Sequence, residues 1–154
     1  TEQNMQHFQY GEDHLSVGIA LELARGKRKG ILSDATKKRI QQSRDIVDGI
    51  IAEEAVVYGV TTGFGPLCTT FVSVEQSGQL QHNLLKSHSV GVGENIPTEI
   101  AKLMLILKVQ ALSQGYSGAR LETIERIIWH IETDVIPCVP AQGSVGASGD
   151  LAPI

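Results

Sequence analysis

The chain has 154 residues, 42% of them hydrophobic and 19% charged, and 13 basic against 17 acidic side chains give a formal net charge of −4. That is enough chain for a single domain (residues 1–154) with a buried core, and it excludes a disordered polymer. A net acidic chain has no overall positive field to hold nucleic acid. The basic run Arg25–Lys29 falls where a first helix should end, which reads as a solvated, dipole-matched terminus. Cys68 and Cys138 lie far apart without a Cys-x-x-Cys pair, so neither a zinc site nor a disulfide scaffold is expected, and no metal is assigned. A reducing, cytoplasmic setting fits this cysteine usage. No signal pattern opens the chain, and the purest apolar run, Leu103–Leu107, is flanked by Lys102 and Lys108 and is too short to span a membrane.

In chain order the pattern is mainly α, with at most short strands. Phe8-Gln-Tyr10 reads as a short strand, and Asp13 as the N-cap of a helix from about His14 to Ala24 that Gly26 stops. Ser33 caps a second helix, with Asp34 in its first turn and Ile40, Val47, Ile50 and Ile51 along one face to about Glu54. Val56-Val-Tyr-Gly-Val60 breaks the helical period, and its β-branched residues predict a short strand or an extended strip. Ser73-Val-Glu-Gln76 has capping-box form and starts a helix to about His88, ended by Gly91 and Gly93. Thr98 is read as the cap of a helix that is apolar nearly all round, the mark of a buried element closed by Gly115 and Gly118. Leu121, Ile124, Ile127, Ile128, Ile131 and Val135 define one more amphipathic helix. Pro137 and Pro140 then carry extended chain into a glycine-rich loop. A new helix signal at Asp150 meets the end of the sequence, so a truncated element is expected there.

That loop, Gly143-Ser-Val-Gly-Ala-Ser-Gly-Asp150, contains the tripeptide Ala147-Ser148-Gly149. A fold that presses the Gly149 amide nitrogen onto the Ala147 carbonyl carbon can close a five-membered imidazolone. Glycine permits that approach, and loss of the Ser148 hydroxyl leaves an exocyclic methylidene, a carbon electrophile. Three other readings compete on these residues alone. A phosphate cradle lacks the Gly-Lys-Ser/Thr that a P-loop needs. A hydrolase elbow has Asp150 where the last glycine belongs. A plain connector before a helix accounts for the composition equally well.

Four ordered motifs bear on the choice: Tyr58-Gly-Val-Thr-Thr-Gly-Phe-Gly65; Leu80-Gln-His-Asn-Leu with Ser87-His-Ser-Val-Gly-Val-Gly93; Ser113-Gln-Gly-Tyr-Ser-Gly118; and Gly143 to Pro153. Together, from about Leu15 onward, they resemble the aromatic amino acid ammonia-lyase family, its histidine-specific branch above all. The resemblance implies an N-terminal helical domain of the aspartase/fumarase-like lyase fold, ending just after the cofactor loop, with the C-terminal helical bundle absent. It implies that Ala147, Ser148 and Gly149 are the source of a methylidene-imidazolone cofactor, with no external cofactor. In the family that electrophile captures the substrate amine, which improves a poor leaving group and holds the β-carbon for a base.

Tyr58 matches the family's catalytic tyrosine, and a phenol serves as a base near neutrality only where helix dipoles or positive charge favour its anion. Without its glycine-rich context, Tyr58 would read as a core tyrosine. Ser87 and His88 match the position that faces the substrate side chain, and Gly65 belongs to the substrate-binding side of the same site. His82 and His88 fall on different helix faces, so they are not a metal pair. The resemblance implies elimination of ammonia from histidine to give urocanate. Tyrosine or phenylalanine lyases and aminomutases are the alternative. Family members are tetramers, and the exposed apolar face left by a missing bundle predicts a homo-oligomer. A fragment without its bundle is expected to be inactive, and a non-catalytic interaction module is the alternative of another class.

Overall fold

This computed structural model describes residues 7–62 and 74–143. The chain divides into two compact units, Thr1–Ile46 with Pro97–Cys138, and Val47–Ile96 with Val139–Ile154. In chain order the elements are β1 (Phe8–Gln9), α1 (Val17–Ala24), β2 (Gly30–Ile31), α2 (Asp34–Ala52), α3 (Val74–His88), β3 (Val92–Asn95), α4 (Thr98–Leu112), α5 (Leu121–Thr133) and β4 (Pro140–Gln142). The expected architecture, mainly helical with short strands, is the one observed.

In the first unit β1 and β2 pair in parallel, Phe8 opposite Gly30 and Gln9 opposite Ile31. Phe8 and Tyr10 alternate onto one face, as a strand requires, and meet edge to face at 5.4 Å. The Tyr10 ring lies on the bare Cα of Gly30, where a Cβ would come within 2.2 Å of Tyr10 Cε2. The core contains Phe8, Tyr10, Leu23, Ile40, Ile106, Val109, Ile124 and Ile131, all buried. At roughly 25 cal/mol per Å² of apolar surface removed from water, this cluster supplies the main drive for the unit to fold.

Several boundaries differ from expectation. Asp13 is not the cap of α1: its carboxylate accepts from the Gln9 amide and closes the 9–13 turn, and Ser16 caps the helix instead by accepting from Ile19 N. Gly26 does end α1, with φ +67° and its amide returned to Leu23 O. Ser33 caps α2 as expected, its Oγ accepting from Thr36 N at 3.0 Å. The Ser73 cap expected for α3 lies outside the described residues. Thr98 is the first residue of α4 and does not cap it. Pro97 stands at the cap position with no side-chain hydrogen bond.

Nor is α4 buried all round. It buries Ala101, Lys102, Ile106 and Val109 while Ile100, Met104 and Leu107 stay exposed on another face. Its apolar composition overstated its burial because only one stripe of the helix meets α1 and α5.

One side chain ties these pieces together. Arg39 Nη2 donates to Gly11 O at 3.1 Å, to Ser113 O at 3.0 Å and to Thr36 Oγ1 at 3.3 Å. It thereby joins the turn after β1 to α2 and to the end of α4. Beside it, the Glu12 carboxylate accepts from the Ser33 and Thr36 hydroxyls, and these bonds, helped by Arg39, hold its carboxyl below the usual range. Replacing Arg39 by Met would leave two backbone carbonyls without their donor. We expect Arg39→Met to lower stability by about 2–3 kcal/mol in urea denaturation. Arg39→Lys should recover only part of the loss, since a single ammonium cannot reproduce the planar fork.

Candidate active site

The residues singled out for chemistry belong to the second unit. Val56–Val60 does not form the short strand its β-branched residues suggested, because Tyr58, Gly59 and Val60 lie in a turn. The Val60 and Thr61 amides both return to Val57 O at 3.0 Å, and Gly59 sits at φ +76°. Thr61 explains the turn: its hydroxyl accepts from Val57 N at 2.9 Å and donates to Ala55 O. Thr62 adds a bond from the Gly59 amide. Local side-chain bonds of this kind compete with strand pairing and override β-propensity. Thr61 and Thr62 are buried, 7% and 2% exposed, whereas Tyr58 at the crest of the turn is 62% exposed. The paired threonines hold the backbone while the phenol is presented outward. The sequence signal for such positioning residues is the Thr-Thr pair that follows Gly59 after one intervening valine.

His88 closes α3, and Ser87 Oγ lies 2.8 Å from His88 Nδ1, so the pair expected to face a substrate side chain is hydrogen-bonded. A cationic or donor-bearing imidazole at this end also suits the negative end of the helix dipole. Beyond it, β3 pairs antiparallel with β4, Val92 opposite Gln142 and Asn95 opposite Pro140, with an irregularity between them. Ile96 N extends the pairing to Val139 O at 2.9 Å. Gly91 lies against the Pro140 ring, where a Cβ would meet Pro140 Cγ at 2.9 Å. This ladder joins the chain that leaves His88 to the chain that leads toward the glycine-rich loop. Gly143, the last described residue of that approach, has φ +140°, a conformation that side-chain-bearing residues rarely adopt. Gly65, Ala147, Ser148 and Gly149 lie outside the described residues. No helix among the described residues is long and apolar enough to cross a membrane.

Comparison with known proteins supplies the context for these motifs. The family description "Aromatic amino acid lyase" matches residues 15–154. Histidine ammonia-lyase of Caldanaerobacter subterraneus subsp. tengcongensis is 44% identical over 142 residues, covering 92% of this chain and 28% of the relative. In solved structures, histidine ammonia-lyase from Trypanosoma cruzi superposes with a TM-score of 0.80 at 34% identity, covering 92% of this chain and 27% of the other. Tyrosine aminomutase from Streptomyces globisporus gives 0.83 at 28% identity with the same coverages, 92% and 27%. The chain therefore spans little more than a quarter of the length of these relatives. With the family match running across nearly its whole length, the chain belongs to the aromatic amino acid lyase family.

Proposed function

We propose that this chain is the N-terminal, cofactor-loop portion of an ammonia-lyase that eliminates ammonia from histidine to give urocanate. The observation that carries the reading is the likeness to histidine ammonia-lyases, and the hydrogen-bonded Ser87–His88 pair supports it. The donor set fits the cofactor: Ala147-Ser148-Gly149 is the tripeptide whose backbone can close to a methylidene-imidazolone, approached through a glycine at positive φ. When formed, that group supplies an electrophile for the substrate amine.

The chain's own residues do the rest. Tyr58, exposed on a turn braced by Thr61 and Thr62, takes the proton from the substrate β-carbon. His88, oriented by Ser87, pairs with a polar substrate ring, and Gly65 belongs to the substrate-binding side by its place in the family motif. The likeness to tyrosine aminomutase favours a second reading, in which His88 faces a phenol and the amine is returned to the product. Under either reading the isolated chain keeps its tripeptide unmodified and is inactive, because ring closure needs strain that surrounding structure must hold. It also self-associates, covering the face of α4 that carries Ile100, Met104 and Leu107.

In the whole enzyme, Tyr58→Phe should lower turnover by roughly 10²–10⁴-fold with the fold retained, and near-parental turnover would place the base elsewhere. His88→Phe should reduce histidine use relative to phenylalanine, and an unchanged preference would remove His88 from specificity. For Thr61→Val, the 55–61 turn loses two hydrogen bonds, so we expect turnover to fall while binding of a substrate analogue changes less. Equal loss in both would assign Thr61 to general stability. On the 154-residue chain, intact-mass spectrometry should give the unmodified sequence mass, and sedimentation should show a dimer or larger species. A mass lower by two waters overturns the first statement, and a monomer throughout the micromolar range overturns the second.

A further inference from the structure

The first unit contains a cavity of about 390 Å³ that shares no residue with the candidate active site. Small-molecule sites generally measure about 300–1,000 Å³. We propose that this cavity binds a small organic carboxylate with an apolar body.

The argument rests on a surplus of hydrogen-bond donors. Tyr10 lines the cavity and is 1% exposed overall, and burial together with the nearby Glu132 charge raises the pKa of its phenol, so it faces a ligand as a neutral donor. A phenol at a cavity wall can donate to a ligand that accepts from it. Gly30 shapes this end: it also lines the cavity, and its missing side chain lets the phenol tip lie against the backbone, where a Cβ would fall 2.8 Å from the Tyr10 oxygen.

Three cations line the same space, and each keeps donors to spare. Arg28 engages Glu22 through Nε at 2.8 Å, which leaves its two terminal nitrogens. Lys29 stands 3.7 Å from Glu132, beyond hydrogen-bond distance. Lys102, only 9% exposed, places one donor on Asp134 at 2.7 Å and has two more. Against these stands one lining carboxylate, Glu132. A ligand rich in acceptors satisfies such a lining, and a ligand rich in donors does not. Leu23, Ile128 and Ile131 complete the walls, which is why the anion should carry an apolar body and not be a bare phosphate.

The test uses cyclohexanecarboxylate, which has the required anion and body and no aromatic amino acid character, so an answer here is independent of the lyase reading. It is titrated into the 154-residue chain by calorimetry and followed by amide chemical shifts. We expect saturable one-to-one binding with shifts centred on residues 28–30, 102 and 128–133. Cyclohexanecarboxamide and inorganic phosphate should each bind at least tenfold more weakly. Tyr10→Phe keeps the ring and removes the hydroxyl, and should weaken binding about tenfold. Lys29→Gln, at a half-exposed position, should weaken it roughly threefold. Equal affinity for the amide or for phosphate, shifts elsewhere, or unchanged affinity in both variants would overturn the assignment. If circular dichroism shows that Tyr10→Phe does not fold, Lys29→Gln and the amide comparison decide the matter.

Discussion

The first unit depends on the Arg39 guanidinium. One nitrogen of this side chain serves three acceptors that come from the turn after β1, from α2 and from the end of α4. Its presence dictates glycine on both sides. A Cβ on Gly115 would fall 2.6 Å from Arg39 Cγ, and one on Gly11 would fall 2.9 Å from Nη2 and 2.5 Å from Ser113 O. Both glycines also hold positive φ, +81° and +77° in chain order, so conformation and crowding demand the same residue. The knot has an unfilled edge: Arg39 Nε and Ser113 Oγ are buried without a protein partner among the described residues. A bridging water is the ordinary way such atoms are satisfied.

The second unit follows a different logic. No described side chain of its helix α3 is fully buried, and among the described residues backbone pairing and local side-chain bonds are prominent. The Thr61 hydroxyl replaces ladder partners for the 55–61 turn, and the β3–β4 ladder does the same work beyond His88. Short polar constraints of this kind fix a turn without needing a core beneath it. They hold the backbone around an exposed side chain such as Tyr58 without burying it.

Charge in the first unit is arranged around the ends of helices. Asp134 holds the left-handed position after α5, where His130 Nδ1 donates to Val135 O at 2.8 Å, and the same Asp134 receives the buried Lys102. The run Arg25–Lys29 is more than a solvated terminus: Arg25, Arg28 and Lys29 reach Glu99, Glu22 and Glu132 in turn. Pairs this exposed contribute little stability each. Arg28 and Lys29 of this run also line the cavity that Tyr10 lines.

The sequence by itself determined the helical class, the Ser33 cap, the Gly26 stop, the amphipathic stripe of α5 and the motifs that carry the family likeness. Each of these is written in local spacing, and local spacing governs helix periodicity and capping. Tertiary structure decided the rest. Asp13 closes the turn back to the Gln9 amide, and Ser16, next to Val17, caps α1. Two-residue β2 and the Gly- and Asn-bearing β3 have no strand pattern of their own and exist only because Phe8 and Gln142 lie opposite them. The exposed face of α4 and the donor-lined cavity likewise depend on which neighbours arrive, because burial is a property of the packed neighbourhood and not of the residue.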